Sequence, residues 1–405
     1  MLTPEQIVEI VETLYPTLDE LNAWITADLI KRLMARLGRG EDFMLTSTDR
    51  WQLQVYKDAG GHLEAVQREI ATFTHKTELE VMAIFEDAGI KAFEYDNAFY
   101  VAHGLEDKNL AQSESMIRLL TDTYQRTNGE VRNFTRTTAT ASQQRLVNVL
   151  DKAHFKVMSG ATSYTQAVKE AVNEIVSEQT KVIYPTGHVD TIETAILRAV
   201  RTGIAQASAK MAVQEMLDRG WDLVRVSAHI GARYGDGGPN PGNHFWWQGK
   251  LYSLEGKTPE YPDFVEATGF GTGKGLGGWN CRHSIGPGDP KHNPFKDFDA
   301  EENKRVYDLS QRQRAAESRI RRTKLKLLGL HEAIDAATDK GVKATLQEEY
   351  DKTALSLRKQ NAAYNNFCKE NHLKKLSERI SVAKWNRSEA SKATAAARKL
   401  LKSKK

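Results

Sequence analysis

The sequence predicts a mainly α protein: a large helical N-terminal body over 1–220, a small Gly-rich α+β domain over 221–299 and a basic helical C-terminal tail over 300–405. Three observations carry that prediction. Apolar residues recur at helical spacing through most of the first half. Residues 231–294 hold 15 of the 28 glycines and 7 of the 10 prolines. The charge is also divided: residues 301–405 carry 26 Lys/Arg against 13 Asp/Glu, net +13, whereas the rest is net −9, within a total of +4. A chain of 405 residues exceeds what one hydrophobic core usually serves, so two or three domains are expected.

The first part supplies its own punctuation. Thr3-Pro4-Glu5-Gln6 combines an N-cap residue, proline at the first helical position and Gln6 three residues after the cap. Ile7, Ile10, Val11 and Leu14 follow at helical spacing, and Pro16 ends that run. Leu21, Trp24, Ile25, Leu29, Leu33 and Leu37 extend the pattern to Gly38 and Gly40. The long run from Asp49 to His103 is expected to break at Gly60-Gly61 and again near Gly89. From Leu110 to Gly220 glycines are few, and Ile192, Ile196, Ala199, Val200 and Ile204 line one helical face.

The chemistry changes at Trp221. Asp222-Leu223-Val224-Arg225-Val226-Ser227 and Lys250-Leu251-Tyr252-Ser253-Leu254 read as strands. The loops between and after them are dense in glycine, and Trp246, Trp247 and Trp279 are expected to give them a small core. Loops of such length in a compact domain usually carry function or are held by a ligand or partner. Gly269-Phe270-Gly271-Thr272-Gly273-Lys274-Gly275 lacks the spacing and the following Ser/Thr of a phosphate-binding loop, so it is read as a loop rather than a nucleotide site. Beyond Glu301 the pattern is helical again. Its apolar register is interrupted at Gly329, Gly341 and Asn361 to Asn366, so no sustained heptad runs the length of the tail.

Several function classes are excluded. Cys281 and Cys368 are too few for a disulfide scaffold. The opening residues lack the basic and apolar regions of a secretory signal, which predicts none. No window reaches the roughly 20 apolar residues of a membrane span.

The densest chemistry lies in the middle. His229, His244, Cys281 and His283 offer three imidazoles and a thiolate, a suitable set for a structural zinc ion. Cys281-x-His283 is tighter than the spacing of known zinc fingers. The plainer reading is that these side chains hydrogen-bond the loop backbone around a tryptophan core. A third reading makes Cys281 a nucleophile with His229 or His244 as base, although no strained turn or oxyanion donor is evident. In the tail, Arg319, Arg321, Arg322, Lys324 and Lys326, with Lys402, Lys404 and Lys405 at the end, form a candidate polyanion-contact surface. Aromatics are sparse there, so contact with nucleic acid would run through phosphates without sequence preference.

Three ordered clusters then carry a likeness. Ser227-Ala228-His229 with Gly231-Ala232-Arg233, Trp247-Gln248-Gly249-Lys250, and Gly278-Trp279-Asn280-Cys281-Arg282-His283 resemble the signature of tailed-phage minor capsid proteins, family 2, which are akin to the Mu F-like head morphogenesis proteins. The helix from Ala199 to Gln206 is similar too, as are Tyr307, Gln311 to Arg314 and Glu317 to Arg321, so the likeness runs from about residue 190 to about 325. Mu F-like relatives tend to carry Cys-Arg-Cys where this chain has Cys281-Arg282-His283. The resemblance implies a low-copy, non-enzymatic structural protein of the virion head, made and assembled in the host cytoplasm. Its partners would be portal and capsid proteins, with non-specific contact between the basic tail and packaged DNA. No cofactor is expected beyond a structural zinc. The alternative is a phage-carried enzyme or effector using the His229/His244/Cys281/His283 constellation.

Overall fold

A computed structural model describes residues 1–45, 47–178, 180–184 and 186–402; Lys404 and Lys405 lie outside the described residues. Helices occupy 69% of it, so the chain is mainly α. In chain order the elements are α1 (Pro4–Glu12), α2 (Tyr15–Leu37), α3 (Thr48–Ala102), α4 (Glu114–Met158), α5 (Tyr164–Ser177), β1 (Lys181–Ile183), β2 (Val189–Thr191), α6 (Ile192–Asp218), β3 (Leu223–Val226), α7 (His244–Trp247), β4 (Leu251–Ser253), α8 (Phe264–Thr268), β5 (Ile285–Pro287), α9 (Ala300–Ala336), α10 (Lys340–Glu370) and α11 (Arg387–Lys402).

The chain gathers into two compact units, each built from separated stretches. The first contains Met1–Leu14, His75–Asn133 and Thr194–Arg312; the second contains Tyr15–Thr74, Phe134–Glu193 and Gln313–Lys405. Boundaries between them fall inside α3, α4, α6 and α9.

In the first unit, α1 opens with the capping box read from the sequence: Thr3 accepts from the Gln6 amide while the Gln6 side chain accepts from the Thr3 amide. Such a cap is worth about 1 kcal/mol. The sheet is antiparallel with β3 in the centre, Val224 lying opposite Tyr252 of β4 on one side and Pro287 of β5 on the other. The two strands expected from the sequence are both present, and β5 adds a third that its Ile-Gly-Pro sequence does not announce. Tyr100, Met216, Val224, Val226, Trp247, Tyr252, Phe264, Cys281 and Ile285 form the core between the helices and this sheet. Of the three loop tryptophans, Trp247 is fully buried and Trp246 packs at the margin of that core. Trp279 does not join it: its ring is exposed and lies against Gly273, where a Cβ would stand 2.9 Å from it.

In the second unit, Tyr164 donates to the Leu37 carbonyl at the end of α2 and accepts from the Gly40 amide, closing that turn. The Trp51 ring stacks on His154 at 4.2 Å and its indole N–H donates to Asp151. The hairpin β1–β2 lies in a stretch read as helices with short connections; Gly187, at φ +81°, allows its turn.

The glycines expected to interrupt the run from Asp49 to His103 do not break it. α3 is continuous through Gly60, Gly61 and Gly89, and α9 through Gly329. Tertiary contact explains three of the four: a Cβ at Gly61 would meet the Arg32 guanidinium at 2.8 Å, at Gly89 the Leu120 methyl at 2.8 Å, and at Gly329 the Val176 methyl at 2.4 Å. These glycines let neighbouring groups approach the helix closely, and packing outweighs a propensity cost of about 1 kcal/mol each. α10 is likewise continuous through Asn361 to Asn366.

Candidate functional site

The three sequence clusters converge inside the first unit. His229 follows the end of β3, His244 is the first residue of α7, and Cys281 and His283 lie just before β5. Ser227 ties the first cluster to the third, donating its amide to the Ser284 carbonyl and accepting the Ser284 amide on its hydroxyl. α7 is started by Asn243, whose side chain accepts from the Trp246 amide. Gly249, at φ +70°, turns the chain back so that its amide reaches the Val226 carbonyl.

Gln248 is the hub. Its Oε1 accepts from the His229 backbone amide at 3.1 Å and from His283 Nε2 at 3.0 Å. His244 Nε2 donates to the Lys274 carbonyl at 2.9 Å, and Arg233 donates to the same carbonyl at 3.3 Å and to that of Trp279 at 2.6 Å. Arg233 thereby anchors the glycine-rich loop to the site. Trp247 supplies the wall, its ring centroid 4.6 Å from His244 and 4.7 Å from His283, while its N–H donates to the Pro241 carbonyl. Asn280, at φ +58°, makes the turn into Cys281 and accepts from Arg201 at 3.5 Å. Arg282 is half-buried between the two candidate ligands of the triplet.

His244, Cys281 and His283 each expose 2% or less of their surface, and their candidate ligand atoms all lie within 4.8 Å of one another. Cys281 Sγ is 3.7 Å from His283 Nδ1. His229, expected as a fourth ligand, stands beside this set rather than in it. Its ring stacks on His283 at 4.6 Å, and its Nδ1 donates to the neighbouring Ile230 carbonyl at 3.0 Å, a contact that turns it along its own loop.

Burial decides the protonation of the cluster. It pulls His244 down to about 4 and holds His283 well below the ordinary imidazole range, with the charges of neighbouring groups adding to both. Burial also pushes the Cys281 thiol up. At neutral pH the imidazoles are therefore neutral, and the free thiol keeps its proton.

The described residues of the candidate polyanion surface differ in exposure and pairing. Arg319, Arg322 and Lys402 are exposed. Arg321 is not: it is 4% exposed, pairs with Asp19 and lies 2.8 Å from Glu193, so it is removed from the expected contact surface. Lys324 donates to the Ile380 carbonyl beside the Trp385 ring, and Lys326 pairs with Glu349 at 2.8 Å.

Two polar constellations in the second unit join residues that the sequence does not group together. One is the Arg321 group, whose partners lie far from it along the chain. The other joins Asp28, His62 and Ser142: His62 Nδ1 is 2.6 Å from Asp28 and Nε2 is 2.7 Å from Ser142 Oγ. It has the order of a hydrolytic triad, but Ser142 sits in the middle of α4, where the helix engages the amides an oxyanion would need. It is a polar bridge among α2, α3 and α4. No residue spacing in the sequence signals either group, because each forms between separate helices.

Fold and site define a mainly helical protein in which a three-stranded module closes over a buried His/Cys cluster. The chain belongs to the phage minor capsid protein 2 family, whose sequence model matches residues 2–369. No curated protein and no solved structure matches it.

Proposed function

We propose that this minor capsid protein works in the head of a tailed phage, near the portal, where it associates with portal and inner capsid proteins during head morphogenesis and DNA packaging or ejection. The observation that carries the proposal is the extent of the family match, 368 consecutive residues that include both the helices and the His/Cys module. Large apolar side chains on helix surfaces support docking on other proteins. In the first unit Leu79, Met82 and Ile90 of α3 are exposed, and in the second unit so are Leu53 and Tyr56 of the same helix.

The role proposed is structural rather than catalytic. Cys281 is 1% exposed and burial holds its thiol protonated, the opposite of what a nucleophilic cysteine needs. The cluster instead fastens the glycine-rich loops to the sheet.

Quantitative mass spectrometry of purified particles tests this reading, with peptides from residues 1–220, 221–299 and 300–405 measured against portal peptides. The whole chain should be present at a few copies per portal ring. Its absence from mature particles would remove the role in the finished head and leave a factor needed only during assembly or a protein acting in the host cell.

A further inference from the structure

We propose that His244, Cys281 and His283 bind a zinc-class divalent cation that fastens the glycine-rich loops to the sheet of the first unit. This inference does not depend on where in the particle the protein sits.

The donor distances fit an ion. A tetrahedral ion with a metal–sulfur bond of about 2.3 Å and a metal–nitrogen bond of about 2.05 Å places those two donors roughly 3.6 Å apart. Cys281 Sγ and His283 Nδ1 are separated by 3.7 Å, and the His244 donor falls within the same 4.8 Å group.

The rings are also held in one orientation. Gln248 Oε1 accepts from the His229 backbone N–H, which establishes that the amide oxygen, rather than its nitrogen, faces the cluster. An oxygen can only accept, so His283 Nε2, 3.0 Å from it, carries the ring proton. His244 Nε2 lies 2.9 Å from the Lys274 carbonyl, closer than its 3.4 Å approach to the Arg233 guanidinium, and donating to that carbonyl gives His244 the same tautomer. Both rings are thus neutral, with the lone pair on Nδ1, and both are held by an oxygen behind the opposite nitrogen. This is the outer hydrogen-bonding arrangement that orients imidazoles toward a metal.

The donor atoms select the class of metal. One sulfur and two imidazole nitrogens favour zinc and its neighbours over calcium or magnesium, which prefer oxygen. On binding, Cys281 releases its thiol proton to solvent and the metal–thiolate bond forms in its place. His229 stacks on His283 outside this set, so the protein supplies three donors. The ion would join three stretches of the glycine-rich module: the start of α7, the turn at Asn280 and the entry to β5.

The test uses the full chain, purified without added chelator, then stripped and titrated with Co2+. The metal-replete protein should carry about one zinc per chain, and Co2+ should produce a thiolate-to-metal charge-transfer band. That band should vanish in Cys281→Ser and persist in Cys368→Ser, whose cysteine lies in the second unit. His229→Phe should preserve the ring stack, the zinc and the band. A wild-type chain that retains no zinc and shows no band would overturn the proposal, leaving the 3.7 Å approach of Cys281 and His283 as a hydrogen bond. A band unchanged in Cys281→Ser would overturn it equally. Failure of His229→Phe to hold the metal would overturn the three-donor assignment. Because the wild-type signal decides the matter alone, a Cys281→Ser chain that fails to fold does not remove the test.

Discussion

Arg321 shows how far a residue's role depends on what surrounds it. It stands in the most basic stretch of the chain, yet it is buried against two carboxylates, Asp19 and Glu193. One positive charge cannot balance two negative charges in a site poor in water. Burial pushes Asp19 up to about 7 against the pull of Arg321, and it raises Glu193 as well. An unfolded Asp19 would titrate near its ordinary value of 3.8. Between about pH 4 and 7 the folded chain therefore holds a proton that the unfolded chain has released, and stability falls as pH rises through that window. Urea midpoints measured at pH 5 and pH 8 should show this fall, and Asp19→Asn should flatten it; an equal slope in both chains would refute the assignment. Arg321→Met should cost about 3–5 kcal/mol at pH 8, because it strands the carboxylates without a partner.

At the scale of the element, glycine is the informative residue. In α6, a Cβ at Gly203 would stand 2.2 Å from Thr127 Oγ1 and 2.8 Å from the Phe85 ring, so α4 and α3 must both give way. In α4, a Cβ at Gly129 would meet nothing within 4 Å. The same substitution should therefore have opposite signs at the two sites. Gly203→Ala should destabilise by about 1–3 kcal/mol through overpacking, and Gly129→Ala should stabilise by about 0.5–1 kcal/mol through helix propensity. Paired denaturation curves check both, and a stabilising Gly203→Ala would contradict the close approach. Element type was legible wherever periodicity was long: α1, its cap, and the strands β3 and β4 follow from the sequence. Helix continuity was not, because a glycine reads identically whether it breaks a helix or admits a neighbour.

For the molecule as a whole, the net +13 of residues 301–405 is the feature most open to test. Burial and pairing withdraw Arg321 and Lys326 from that charge, while Arg319, Arg322 and Lys402 remain exposed. If the tail meets packaged DNA, binding to duplexes of unrelated sequence should be similar and should weaken steeply with salt. Replacing Arg319, Arg322 and Lys402 together should lower the salt slope by about one for each phosphate that is no longer neutralised. Filter binding across a salt series measures this. Affinity independent of salt would eliminate any role for phosphate binding.

The helical class of the protein, the position of its glycine-rich module and the residues of that module that carry chemistry are all written in residue order. Those properties are local: they depend on periodicity, caps and composition within a short window. Other outcomes exist only in the folded chain. His244, Cys281 and His283 meet while His229 turns aside, Gln248 and Lys274 orient the imidazoles, and Arg321 becomes a core ion pair. The N-terminal and C-terminal stretches are likewise divided between two compact units, whereas the middle stretch lies wholly within the first. The physical reason is that each of these outcomes joins residues far apart in the chain. Hydrogen bonding, desolvation and close packing act on atoms that the fold brings together, and residue order alone does not disclose those neighbours.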